Sequence, residues 1–309
     1  MILLLISALG VALFLWPFSG LGLPAATPAL AIGLGAALGL LALEVGTRRM
    51  DSRQLALLAA LSAVDAGLRA ALVTGIGGFS PVFLLVLCGG YALGPEFGFL
   101  LGASSLLVSA LVTGGIGPWV PYQLFAVGWV GALAGLVGLL RAHRRPGRRD
   151  VVLLAGVGIL AGFGFGAVMD IWNWTFYFSS PQIGWSPSLA PGTALAHFVK
   201  YYLVTSAEYD AFRAGGNALM VLIFGLPVLA ALHRLSRRFR GEWLEDAGDR
   251  AGELVPAGVS AQPANHVAAS HLVVPALFAT VDPRPGEAQE AGGDVEQVAH
   301  HPDEAPAQT

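Results

Sequence analysis

The chain has 309 residues, of which 55% are hydrophobic and only 12% charged, with 41 glycines and a mean hydropathy of +0.67. Roughly a quarter of the residues of an ordinary soluble domain are charged. This composition therefore excludes one and points to an all-α integral membrane protein, where glycine is also more frequent. The net charge of -3 hides a division: residues 1–240 hold fifteen of the 17 Lys/Arg, whereas 241–309 is acidic and polar, so the total identifies no partner.

About 20 apolar residues are needed to cross ~30 Å of hydrocarbon. Eight segments meet or approach that length, at about 2–18, 27–46, 54–74, 80–94, 97–114, 121–141, 151–169 and 216–234. The first has the hydrophobicity of a signal peptide but lacks the basic leader of one, which favours a retained helix. The fourth and fifth are short. Gly94-Pro95 between them predicts a turn rather than one bent helix, because proline removes a backbone donor. Cys88 lies inside an apolar run, the setting of an inert packed thiol.

Arginine fixes the expected orientation, since positive residues in short loops stay on the cytoplasmic side. Arg48, Arg49 and Arg53 fall in one loop, and Arg141, Arg144, Arg145, Arg148 and Arg149 in another. Arg234, Arg237, Arg238 and Arg240 follow the last span. The short opposite loops 19–26, 75–79 and 115–120 carry none. Eight spans with both termini in the cytoplasm satisfy this pattern. The expected organisation is two N-terminal helices with a basic loop (1–53), a six-helix membrane domain (54–240) and a disordered cytoplasmic tail (241–309). The tail is too rich in Ala, Gly, Pro, Glu and Asp to bury enough apolar surface. Its four scattered histidines lack metal-ligand spacing, and no metal or cofactor is expected.

The third span carries Asp65 and Arg69, four residues apart and so on one face. A charge at mid-membrane costs ~2.5–3.5 kcal/mol on insertion scales, so such residues pair or face a wet cavity. A structural ion pair and a polar wall of a ligand cavity both fit. The same helix has small residues in four-residue pairs, Ala56/Ala60 and Ala59/Ala63, and Gly94, Gly98 and Gly102 form a second such stripe. These predict close helix packing, within the chain or with a partner.

Between the fifth and sixth spans, GGIGPWVPYQ (114–123) presents Trp119, Tyr122 and Gln123 on an irregular backbone. At membrane depth such backbone must be buried or line a cavity, and its chemistry suits a neutral, flat organic ligand. The long outer segment 170–215 holds Asp170, Trp172, Asn173 and Trp174 among further aromatics. It reads either as an interfacial aromatic belt or as a lid over a site, with a short helix expected at about 193–206. The chain has no GxxxxGK[ST], so it has no P-loop, and apart from His233 at the very end of the last span no histidine lies within a span to serve a serine nucleophile.

Residues 54–240 resemble the substrate-binding component of energy-coupling factor vitamin transporters, in particular the actinobacterial set. The resemblance rests on GGFSPVFLLVLCGGYALGPEFGFLLGASSLLVSALVTGGIGPWVPYQLFAVGWVGALAGL (77–136) and RAGGNALMVLIFGLPVLAALHRLSRRFR (213–240). It implies a six-helix bundle, here preceded by two extra helices, that captures a vitamin at its outer face and is not itself an enzyme. A transmembrane coupling protein and two cytoplasmic ATPases would complete the importer in the bacterial plasma membrane. It implies coupling-protein contact through Ala59 and Ala63, and by the same stripe Ala56 and Ala60. A ligand site under 75–80, 114–123 and 170–215 would use Trp119, Tyr122, Gln123, Asp170, Trp172, Asn173 and Trp174, with Asp65 and Arg69 as polar wall. A cobalamin-like ligand is the first candidate, because 46 outer residues could cover a large planar molecule. A lipid-acting membrane enzyme relying on Asp65 or Asp170, and an envelope scaffold, are the alternatives.

Overall fold

A computed structural model describes residues 1–23, 27–71, 82–141 and 145–240. The chain divides into a unit spanning Met1–Val255 and a second from Pro256 to Thr309; the expected disordered tail and the 75–80 loop lie outside the described residues. Within them the protein is all-helical: α1 (Ile2–Phe14), α2 (Thr27–Thr47), α3 (Ser52–Ala71), α4 (Val82–Leu93), α5 (Pro95–Thr113), α6 (Val120–Leu139), α7 (Arg148–Phe176), α8 (Pro191–Thr205) and α9 (Ala207–Arg240), with a short 3-10 turn at Trp16–Phe18.

Six of these helices, α2, α3, α5, α6, α7 and α9, are long and apolar enough to cross a membrane. Leucines such as Leu136, Leu160 and Leu219 stand more than half exposed along them, an arrangement that water would penalise and lipid accepts. The chain is a multi-pass membrane protein. α1 and α4 have only 13 and 12 residues, short of a full crossing. α4 escapes that requirement because it is enclosed, with Phe83, Val86, Leu87 and Cys88 buried.

Successive helices alternate between two ends of the bundle. Leu3, Gly46, Gln54, Gly94, Arg141 and Ser236 surround one cavity of about 460 Å³, which marks the arginine-rich end. The other end is aromatic: Trp16 meets Trp185 at 4.8 Å, Phe18 meets Trp174 at 5.7 Å and Trp119 meets Trp172 at 5.6 Å. Among the described residues α1 to α7 and α9 run between these ends, six of them long and apolar enough to cross a membrane, while α8 stays at the tryptophan end.

Glycine sets the core spacing. A Cβ at Gly98 would overlap the Gly131 carbonyl, one at Gly131 the Gly98 carbonyl, one at Gly102 the Val127 carbonyl, and one at Gly138 the Tyr91 carbonyl. α4, α5 and α6 therefore meet backbone to backbone, so the Gly98/Gly102 stripe is consumed within the chain. Gly94, at φ 100°, makes the turn that separates α4 from α5, with Pro95 opening α5, as its sequence predicts.

At the arginine-rich end Asp150 ties three elements together. It accepts from the Tyr91 hydroxyl at 2.5 Å, from Arg141 Nε at 2.9 Å and from the Gly147 N–H at 2.8 Å. The last bond caps the start of α7 with an acidic residue where the helix dipole favours one. Asp150→Ala strands all three donors. Because Arg141 keeps about a third of its side chain in solvent, the expected cost is moderate: an apparent melting temperature lower by on the order of 5 °C in detergent. A thermal melt indistinguishable from wild type would show the network to be idle.

Candidate functional site

The segment expected to be one long outer loop is mostly helix. α7 runs on to Phe176, so Asp170, Trp172, Asn173 and Trp174 occupy its final turns; only 177–190 is open chain before α8, and α9 begins at Ala207. The aromatic and polar composition of DIWNWTF masks a helix whose two faces have different neighbours. Likewise α6 begins at Val120, which places Tyr122 and Gln123 in its first turn, not in a loop.

Trp172 and Trp174 diverge around α7. Trp172 packs against Trp119, edge to face, and against Phe176 and Tyr177, while its buried indole N–H has no acceptor. Trp174 is fully buried and donates to the Ile183 carbonyl at 2.8 Å, pinning the 177–190 loop. Asn173 donates to the Tyr201 hydroxyl of α8 at 2.7 Å. Its neighbour Trp174 stacks on Phe18 and meets Phe198. α8 buries one face: Ala194 and Tyr201 are buried, while Leu195, Val199, Leu203 and Val204 are exposed, the pattern of a helix suited to a membrane surface. The short helix expected at about 193–206 is this one.

Tyr122 is fully buried and stacks on Phe14 of α1 at 4.3 Å. The first of the two extra helices thus occupies the ring face that the sequence assigned to ligand. The phenol of Tyr122 and the indole N–H of Trp16 are electrostatic neighbours without a hydrogen bond. Gln123 is partly buried.

Asp65 faces α5. Ser62 and Ser104 are hydrogen-bonded at 2.7 Å, which aligns α3 with α5 and brings Asp65 to Ser105. Asp65 is wholly buried, and neither of its oxygens, nor Arg69 Nη1, Ser105 Oγ or Ser109 Oγ, has a hydrogen-bond partner. A membrane-embedded seam with this many unsatisfied groups is costly. Asp65 and Arg69 interact electrostatically within α3, whereas Trp172 and Trp174 belong to α7.

A third constellation was not assigned from the sequence. Gly158, Gly162 and Gly166 lead up one face of α7 to Asp170 at four-residue intervals, and α9 runs antiparallel against them. Asn217 bonds the Gly158 carbonyl at 3.2 Å, Ala214 abuts Gly162, and Asp210 fills the space beside Gly166. Asp170 comes last in this register, beside Ser206 at the α8–α9 joint. Asp210, 2% exposed, takes an ion pair from Arg213 and a hydrogen bond from the Tyr202 hydroxyl at 2.9 Å, and Arg213 lies over the Phe165 ring at 5.2 Å. Asp170 is 8% exposed, and its Oδ2 has no partner. Burial, then the Asp210 hydrogen bond and charge, push the Tyr202 phenol above its ordinary range, and burial raises Tyr201. Both therefore remain protonated, Tyr202 donating to Asp210 and Tyr201 accepting from Asn173. The spacing of three glycines and an aspartate was the available signal.

Among the described residues no group of three or more His, Cys, Asp or Glu could hold a metal ion. The fold and these clusters define an all-helical, multi-pass membrane bundle with polar groups concentrated under an aromatic end. Comparison with protein-family models, curated proteins and solved structures finds no significant match to this chain.

Proposed function

We propose that this protein is the substrate-capture component of an energy-coupling factor type importer for a vitamin or related micronutrient. In this reading it sits in the bacterial plasma membrane with both termini in the cytoplasm, and the tryptophan end faces outward. The arginines flanking the opposite end among the described residues, Arg49, Arg141 and Arg148 among them, support that orientation. One observation carries the reading: α3 keeps an unused packing face. Ala56, Ala59, Ala60, Ala63 and Gly67 are all exposed, and a Cβ at Gly67 would touch nothing within 4 Å. The glycines of α4, α5 and α6 are spent on one another, whereas this smooth stripe is open for a second membrane protein to approach closely. A coupling protein is the partner such a component needs, and separate ATPase subunits account for the missing P-loop.

The captured molecule enters beneath α8 and the 177–190 loop, where Asp170, Asn173 and Trp174 share one face of α7. α8 touches the bundle chiefly through Ala194, Phe198 and Tyr201, which suits a segment that lifts. The test is a vitamin panel, including a corrinoid, screened by calorimetry and ligand co-purification on the detergent-purified chain. At least one member is expected to bind with micromolar or tighter affinity. Failure of every member to bind would overturn the proposal.

A further inference from the structure

We infer that the captured molecule carries a positively charged organic group, and that this group docks against Asp170 at the junction of α7, α8 and α9. The inference rests on the small-molecule reading above and adds the charge class of the ligand.

It follows first from a count of charge. The groups that act on Asp170 are the neutral Ser206 hydroxyl at the α8–α9 joint, the charged Asp210 and Arg213 from α9 and the phenols of Tyr201 and Tyr202 from α8. Two carboxylates thus share one guanidinium, and Arg213 is already paired with Asp210. One negative charge is left over in a place from which water is nearly excluded. Buried charge in a membrane protein needs a counter-charge. The second observation is geometric. Asp170 presents an unpartnered oxygen while only 8% exposed, and its neighbour Asp210 already has two donors. The acceptor capacity of the cluster is therefore concentrated on the one carboxylate nearest the α8–α9 joint. The third is the wall chemistry. Tyr201 and Tyr202 stand beside this carboxylate, with Phe198 packed against both at 6.3 and 6.5 Å. An aromatic wall beside a carboxylate suits an organic cation, which gains from ring faces opened by a movement of α8 as well as from the charge. A metal ion would need several oxygen ligands. Since Asp170 is covered, the occupant reaches it only when α8 moves, and a docked cation would then hold α8 down through the same two tyrosines.

The experiment uses the full-length chain in detergent and a panel sorted by charge: thiamine and tetramethylammonium as organic cations, riboflavin and cyanocobalamin as uncharged probes, biotin and pantothenate as anions, and sodium and potassium chloride. Binding is read by calorimetry and by saturable thermal stabilisation. The expected result is binding confined to organic cations, weakened roughly thirtyfold or more in Asp170→Asn, with Asp170→Glu retaining the preference for cations. Binding of an uncharged or anionic vitamin that Asp170→Asn leaves unchanged would overturn the inference while leaving the transport reading intact. Stabilisation by sodium or potassium but not by organic cations would overturn it in favour of an inorganic ion. If no vitamin of any charge binds, both readings fail. Should Asp170→Asn not yield folded protein, the charge series on the wild type decides alone.

Discussion

Gly131→Val will yield no folded, monodisperse protein. A Cβ added at Gly131 would strike the Gly98 carbonyl, and Cβ atoms built at Gly90 and Gly98 would both strike the Gly131 carbonyl. A side chain at 131 thus meets backbone, which cannot rotate away as a side chain can. The only relief is to separate α5 from α6, and that displaces α4 as well, whose Gly90 shares the contact. Overpacking of this kind belongs to the severe class of substitutions, a loss of about 4 kcal/mol or more. Size-exclusion profiles and protease resistance in detergent would report it, and Gly156→Val, where an added Cβ meets nothing within 4 Å, is the matched control. A Gly131→Val protein that elutes and melts like wild type would mean that the three helices are not in backbone contact.

On the proposed function, Ala59→Trp and Ala63→Trp, made together, are expected to abolish uptake while sparing ligand binding. Both residues are exposed on α3, so bulk added there has lipid to occupy and does not disturb the fold. A partner that relies on close approach of small residues would be held off by the width of an indole, and its dispersion contacts would be lost. Transport in cells supplied with the complete importer should fall by about tenfold or more. Ligand affinity of the purified variant should stay within about twofold. Ala59→Gly, which keeps the surface low, should transport normally. Unimpaired uptake by the double tryptophan variant would remove α3 as the coupling face.

Helix positions were legible because hydropathy reports directly on what must face lipid or core. α2, α3, α5 and α6 begin and end within a few residues of the expected segments, and the Gly94-Pro95 turn falls where the chemistry of the two residues demands. The tryptophan end was not legible in the same way. Trp172 and Trp174 are two residues apart and read as one aromatic patch, yet a helix sends them to different neighbours, Trp119 and Phe18. Tyr122 carries no mark in the sequence that Phe14, more than a hundred residues away, will stack on it. The α7–α9 seam lay between these cases. Its spacing of Gly158, Gly162, Gly166 and Asp170 is visible, but which helix would fill it depends on the tertiary arrangement. Four-residue spacing reveals a face, whereas the neighbour of that face is set by the whole bundle.

The aromatic contacts of the N-terminal segment have a practical outcome for anyone trimming this protein to a minimal core. Trp16 and Phe18 brace the far side of Trp185, Trp174 and Phe198, and Phe14 and Ser7 shield Tyr122 and Trp129 of α6. A six-helix truncation starting near residue 54 would strip these contacts away and hand the rings of Trp185, Trp174, Phe198, Tyr122 and Trp129 to detergent. The shortened protein would lose the support that the N-terminal rings lend this end, so a thermal melt or an affinity measured on it would not stand for that of the whole chain.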